Sequence, residues 1–318
     1  MNLHLSTEFD GLIRDTAQSI DLPEFHIRKD YWVTLSLKAL SESPYAESAV
    51  FKGGTSLSKA YRLIDRFSED IDLAILPGGL STNQIKRKIK KVHDATCQHL
   101  TYVEGHPKES KGSTFRRTMH QFPYSETSAI EDQVSRELMI EVNSFTTPSP
   151  YNVMPIQSMI TDVLLENSLD KVVAKFELEP FNLQILALER TLIEKILAIV
   201  RQSYSEKPIA ALQNKIRHLY DIHQIMQRAE AKSFISNAEL YPLVQQCISE
   251  EKDIEGFTPS TFYKIPLTDA PIFSEFDEWL PELDKVYRTS FSAMTYKELP
   301  PLNSISKTLK TIRRALSK

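Results

Sequence analysis

Asp70 and Asp72, set one residue apart in the stretch Ser68-Glu69-Asp70-Ile71-Asp72-Leu73, are the side chains best placed to do chemistry. Successive side chains of a strand alternate in direction, so both carboxylates would leave one face while Ile71 and Leu73 enter the other. Carboxylates about 6–7 Å apart along a strand repel each other, and a cation between them removes that cost. Upstream, Gly53 and Gly54 close an apolar run and open a helix-like segment. Glycines there let backbone N–H groups approach a phosphate closely. An Asp-Ile-Asp strand end can also be a solvated edge, and a lone Gly-Gly is more often an ordinary tight turn. In combination they point to a divalent metal site beside a phosphate-cradling turn.

Such a site needs elements to hold it. Apolar spacing predicts a helix over residues 26–41, ended by Ser43-Pro44, then a strand over 49–52 and a helix over 56–67 with Thr55 as its cap. A second strand over 70–76 stops at Pro77-Gly78-Gly79, and a helix follows over 82–99. Further strands are expected over 99–104, 113–124 and 136–145, the last an apolar run interrupted by Glu141. A carboxylate there is costly if buried alone; it could bind a cation or pair with Arg116 or Arg117. Residues 147–150 read as a turn. From about residue 180 helices dominate, over 182–201 and 209–228, with Pro266, Pro271, Pro281, Pro300 and Pro301 cutting the rest into short pieces. Lys195 falls on the core side of its helix, with Leu188 and Leu192, so it must snorkel or meet an anion. Asp221 could simply pair with Arg217 four residues earlier, and His218 reads as a structural hydrogen-bonder.

A chain of 318 residues has room for two domains of ordinary size. Its 41% hydrophobic and 25% charged residues are those of a water-soluble globular protein. No apolar run approaches the roughly 20 residues of a membrane helix, and the first 15 residues lack the pattern of a secretory leader. Two cysteines, Cys97 and Cys247, exclude a disulfide framework and a cysteine-rich zinc site, so a reducing cytoplasm is expected. The formal net charge of −4 argues against general coating of nucleic acid. Basic charge is nonetheless concentrated: between Leu80 and His120 nine Lys or Arg residues face three acidic ones. Five of them, Lys86, Arg87, Lys88, Lys90 and Lys91, would give the helix over 82–99 a basic outer face, a candidate RNA contact. Lys307, Lys310, Arg313, Arg314 and Lys318 form a second basic run at the end.

Three blocks in the first half and two in the second carry a resemblance. They are Lys29-Asp30-Tyr31-Trp32-Val33, Phe51-Lys52-Gly53-Gly54-Thr55-Ser56-Leu57-Ser58-Lys59, Arg66-Phe67-Ser68-Glu69-Asp70-Ile71-Asp72-Leu73, Glu189-Arg190-Thr191 with Glu194-Lys195, and Arg217-His218-Leu219-Tyr220-Asp221. In that order they resemble the AbiEii/AbiGii-type nucleotidyltransferase toxins, a branch of the DNA polymerase β-like nucleotidyltransferase superfamily.

The resemblance implies an α+β fold: a polymerase β-like nucleotidyltransferase domain with a mixed sheet and N-terminal helices over residues 1–165, then a mainly α-helical domain over 166–318 that closes the nucleotide site. It implies Gly53, Gly54, Thr55 and Ser56 as the triphosphate turn, with Lys59, Arg66 and Lys195 as further nucleotide contacts. Asp70 and Asp72 would be metal ligands, joined by Glu141 as the third carboxylate, and Asp221 a second essential acid. The implied cofactor is Mg²⁺, with Mn²⁺ as a substitute, and the substrate an NTP. The implied activity is that of a toxin from a toxin–antitoxin or phage-defence system. It would add NMP to RNA, foremost the tRNA 3′ acceptor end, and so block translation. A cognate antitoxin is the expected protein partner. Two alternatives stay open: nucleotidyl or phosphoryl transfer to a protein hydroxyl, and a non-catalytic nucleotide-binding module.

Overall fold

Short runs of alternating or wholly apolar residues build one sheet, and the amphipathic segments between them cover it. The computed structural model describes residues 2–123, 136–252 and 264–317. The end of the strand expected over 113–124 and the terminal Lys318 of the second basic run lie outside the described residues. Two compact units emerge: Met1–Arg62 with Ser68–Leu186, and Leu63–Phe67 with Ala187–Lys318.

In the first unit, α1 (Phe9–Ile20) and α2 (Glu24–Ser41) precede β1 (Ala49–Lys52), α3 (Gly53–Lys59) and β2 (Ile71–Ile75). Then come α4 (Thr82–Thr96), β3 (Thr101–Tyr102), β4 (Ser110–Lys111), β5 (Phe115–Gln121) and β6 (Glu137–Asn143). β7 (Tyr151–Ile156), α5 (Met159–Glu166), α6 (Asp170–Lys175) and β8 (Phe181–Leu186) complete it. The strands lie in the order β3-β5-β6-β2-β1-β8-β7, with β4 paired to β5. β1 runs antiparallel to β2 and parallel to β8, and β2 runs parallel to β6, so the sheet is mixed and the architecture α+β.

Register separates the two faces of this sheet. Phe51, Leu73, Val142 and Ile185 stand side by side, as do Ile71 and Ile140, and all join the buried core with Ile89 and Val92 of α4 and Trp32 and Leu37 of α2. Asp72, Glu141 and Arg117 fall on the opposite face because side chains alternate along each strand. α2 is buried on nearly all sides, which draws even Arg28 and Lys29 inside. α4 is buried along one stripe only, through Ile89, Val92, His93 and Thr96, and a capping box of Ser81 and Gln84 starts it.

The second unit is helical apart from five residues taken from the first half of the chain. α7 (Leu188–Ser203), α8 (Pro208–Gln213), α9 (Ile216–Ile225), α10 (Ala229–Ile235) and α11 (Leu240–Lys252) are followed by α12 (Pro271–Ser274), α13 (Phe276–Val286) and α14 (Leu302–Leu316). The inserted segment is held by its backbone: Phe67 N donates to Met294 O at 2.7 Å, Tyr296 N donates to Asp65 O at 2.7 Å, and Arg66 bridges Thr295.

Several expectations change in detail. The helix after Gly53-Gly54 begins at Gly53 itself and ends at Lys59, not at residue 67, because the chain turns away into the second unit. Residues 182–186, read as the start of a helix, belong to β8 against β1, and residues 166–186 pack with the first unit. The helix expected over 209–228 is divided between α8 and α9. Pro281 lies inside α13 without ending it. It is exposed, so the carbonyl left without its N–H partner can bond water.

Candidate active site

β2 carries Asp72 within the strand and Asp70 immediately before it. Asp72 stands beside Lys52 of β1 and beside Glu141 of β6 in register. Glu141 and Asp72 are thus neighbours on one face, backed by Ile71, Leu73, Ile140 and Val142, all wholly buried on the other. The pairing left open for Glu141 is present as well. Arg117, directly across on β5, donates from Nε and Nη2 to Glu141 Oε2 at 3.1 and 2.8 Å, and Asn143 Nδ2 donates to Oε1 at 3.1 Å. Arg116 points to the opposite face with Val142.

The glycine turn meets the aspartates directly. Gly53 has φ +84°, and a Cβ added to it would lie 2.3 Å from Asp72 Oδ2. No side chain caps the first turn of α3. Thr55, expected as the cap, is its third residue; the hydroxyl instead donates to Asp70 O at 2.6 Å and lies 3.0 Å from Ser68 Oγ. Ser56 Oγ donates to Gly53 O at 3.0 Å. Both hydroxyls are buried; Thr55 ties the turn to the segment that enters β2, and Ser56 closes the turn on itself.

Two residues of α2 brace this arrangement and had no role assigned from the sequence. Lys29, 2% exposed, pairs with Glu69, the neighbour of Asp70. Asp30 pairs through Oδ1 with Lys59 at the end of α3, while its Oδ2 accepts from Met159 N at 2.8 Å. Lys59, expected at the nucleotide, is therefore engaged with Asp30 and buried. The available signal was an adjacent Lys-Asp pair inside an otherwise apolar helical stretch.

The remaining expected site residues come together in the second unit. Asp221 of α9 is wholly buried; its Oδ1 accepts from Arg66 Nε at 2.8 Å, and its Oδ2 from Arg66 Nη2 and Lys195 Nζ at 2.8 Å each. Burial alone would push this carboxyl up, but the guanidinium and the ammonium reverse that and hold it well below the ordinary carboxylate range. Lys195 does not snorkel, and Arg217 is exposed and plays no part in the cluster. His218 Nδ1 is buried without a partner among the described residues, contrary to its expected hydrogen-bonding role. Burial first and Lys195 second push its imidazole well below the usual range, so it stays neutral.

Asp70, Asp72 and Glu141 offer carboxylate oxygens alone, the donor set of a hard divalent ion such as Mg²⁺ or Mn²⁺. Asp72 and Glu141 stand in register beside Gly53, with Asp70 directly before the strand, and an oxygen-only set of this kind suits such an ion. On the opposite face α4 exposes Lys86, Arg87, Lys90 and Lys91, with Lys88 half-buried, and none of the five forms an ion pair with another described residue.

A family model described as the nucleotidyl transferase AbiEii toxin of type IV toxin–antitoxin systems matches residues 36–315. The chain belongs to the AbiEii family. This AbiEii chain is accordingly a nucleotidyltransferase toxin of a type IV toxin–antitoxin system, and that membership implies an antitoxin partner. The matched span contains Asp70, Asp72, Glu141, Lys195 and Asp221 and starts after Lys29 and Asp30. No curated protein matches the AbiEii chain. Among solved structures it is similar to MenT4, a nucleotidyltransferase toxin from Mycobacterium tuberculosis H37Rv, at 16% identity and a TM-score of 0.46 over 97% of this chain and 98% of that one. No helix among the described residues is long and apolar enough to cross a membrane.

Proposed function

We propose that the toxin transfers NMP from an NTP to the 3′ end of RNA, foremost the tRNA acceptor end, and blocks translation by doing so. The observation that carries this reading is the adjacency of Asp72 and Glu141, in register on neighbouring strands, with Gly53 pressed against Asp72. Asp70, Asp72 and Glu141 would hold Mg²⁺, or Mn²⁺ in its place. When bound, the ion neutralises charge on the triphosphate and favours the ionised form of the attacking hydroxyl.

The chain's own residues supply positioning. Arg117 and Asn143 fix both oxygens of Glu141, and Thr55 fixes Asp70 through its carbonyl. The turn from Gly53 to Ser56 offers backbone donors to phosphate oxygens, and glycine is needed where it touches Asp72. In the reaction the RNA hydroxyl oxygen bonds to the α-phosphorus, its proton leaves, and the bond to pyrophosphate breaks. Arg66, Lys195 and Asp221 satisfy one another in the interior. They act as positioning residues, anchoring the chain four residues before Asp70. The exposed bases of α4 provide a surface for the RNA backbone.

Purified toxin incubated with each labelled NTP, Mg²⁺ and total RNA should label a small RNA, and Asp70→Ala and Asp72→Ala should each abolish both labelling and growth arrest. Label confined to protein would instead support transfer to a protein hydroxyl. Toxicity that persists in both variants would support a binding mechanism.

A further inference from the structure

Three side chains of metal-binding type converge on the helix-covered face of the same sheet, away from the carboxylates. His93 lies in the last turn of α4 and Cys97, four residues on, caps its C-terminus on the same side. His120 reaches them from β5, where it alternates with Arg117 and shares its face with Leu138. Cys97 Sγ lies 3.5 Å from His93 Nε2 and 3.3 Å from His120 Nε2, and one donor atom from each of the three lies within 4.8 Å of the others. A sulfur at about 2.3 Å and a nitrogen at about 2.0–2.1 Å from one tetrahedral zinc stand about 3.5 Å apart. Both observed separations are close to that edge.

The outer nitrogen of His93 has a partner, whereas His120 Nδ1 is buried without a hydrogen-bond partner among the described residues. His93 Nδ1 lies 3.1 Å from Asp94 Oδ1. A carboxylate can only accept, so it draws the ring proton to Nδ1 and leaves the inward Nε2 with a lone pair. Thr118 Oγ1 sits between the two imidazoles, 2.5 Å from His93 Nε2 and 2.9 Å from His120 Nε2. The Thr118 hydroxyl has a single proton, so it can donate to only one of the two rings. His93, Thr118 and His120 are buried, while Cys97 is partly exposed and gives the cluster an opening.

We infer that His93 Nε2, Cys97 Sγ and His120 Nε2 bind one borderline divalent transition ion of the Zn²⁺ class, with Thr118 Oγ1 or a water as fourth ligand. Binding forms the metal–thiolate bond as the Cys97 thiol releases its proton to solvent. The ion clamps α4 onto β5 and holds the basic face of α4 in place. It is separate from the carboxylate site by face and by ligand chemistry: sulfur and nitrogen here, oxygen there.

Chelator-stripped full-length protein, titrated with Co²⁺ in excess Mg²⁺, should develop a thiolate-to-cobalt charge-transfer absorption that saturates at one equivalent. Added Zn²⁺ should bleach it and raise the thermal midpoint. Cys97→Ser should lose the band and Cys247→Ser should keep it. Asp94→Asn, a change at an exposed position, should weaken Co²⁺ binding about 10–100-fold while leaving the band's shape intact. Absence of the band in wild-type protein, or its survival in Cys97→Ser, would overturn the site.

Discussion

Gly53 has no side chain because Asp72 stands where one would be. An alanine there must adopt a left-handed conformation at about 1–2 kcal/mol and push the carboxylate aside. Gly53→Ala is therefore expected to lower the urea midpoint modestly and to reduce nucleotidyl transfer far more, measured where the variant is still folded. Wild-type turnover in that variant would show that the close approach is dispensable. Residues of this kind were legible in the sequence because their partners lie nearby along the chain. Asp70, Asp72 and the glycine pair declare themselves by local spacing. Arg66 and Asp221 lie 155 residues apart, and local spacing offered Arg217 as the partner instead. The ion pairs of Lys29 with Glu69 and of Asp30 with Lys59 were hidden for the same reason.

At the scale of elements, period and burial decided what could be read. α4 was visible because its stripe of Ile89 and Val92 alternates with bases at a helical period. β8 was not, since Phe181–Leu186 is a short apolar run that suits either period and leads directly into the helical pattern of α7. Only the tertiary pairing with β1 assigns it to the sheet. The exposure of the bases on α4 permits a direct test of its role. Lys86, Lys88 and Lys90 changed together to Glu should weaken tRNA binding and reduce the slope of log affinity against log salt by roughly two. An unchanged slope would remove α4 from the RNA surface. The same helix carries His93 on its inner side and ends at Cys97, so a metal clamp there would steady the face that this variant alters.

For the whole molecule, the division into units does not follow the order of the chain. The backbone passes between them three times, at Arg62/Leu63, Phe67/Ser68 and Leu186/Ala187. Residues 187–318 expressed alone would lack Leu63–Phe67, leaving Asp221 without its guanidinium and residues 294–296 without their backbone partners. Breaking a buried ion pair costs about 3–5 kcal/mol, a large part of the about 5–15 kcal/mol that holds a domain together. This fragment should show no cooperative thermal transition by circular dichroism; a sharp, full-helicity transition would refute that expectation. The same excursion sets a clock on synthesis. Arg66 leaves the ribosome 155 residues ahead of Asp221, a wait of roughly 10–30 s at ordinary elongation rates. The strand bearing the aspartates is thus made early, and the ribosome has passed residue 221 of 318 before Arg66 can meet its buried partner.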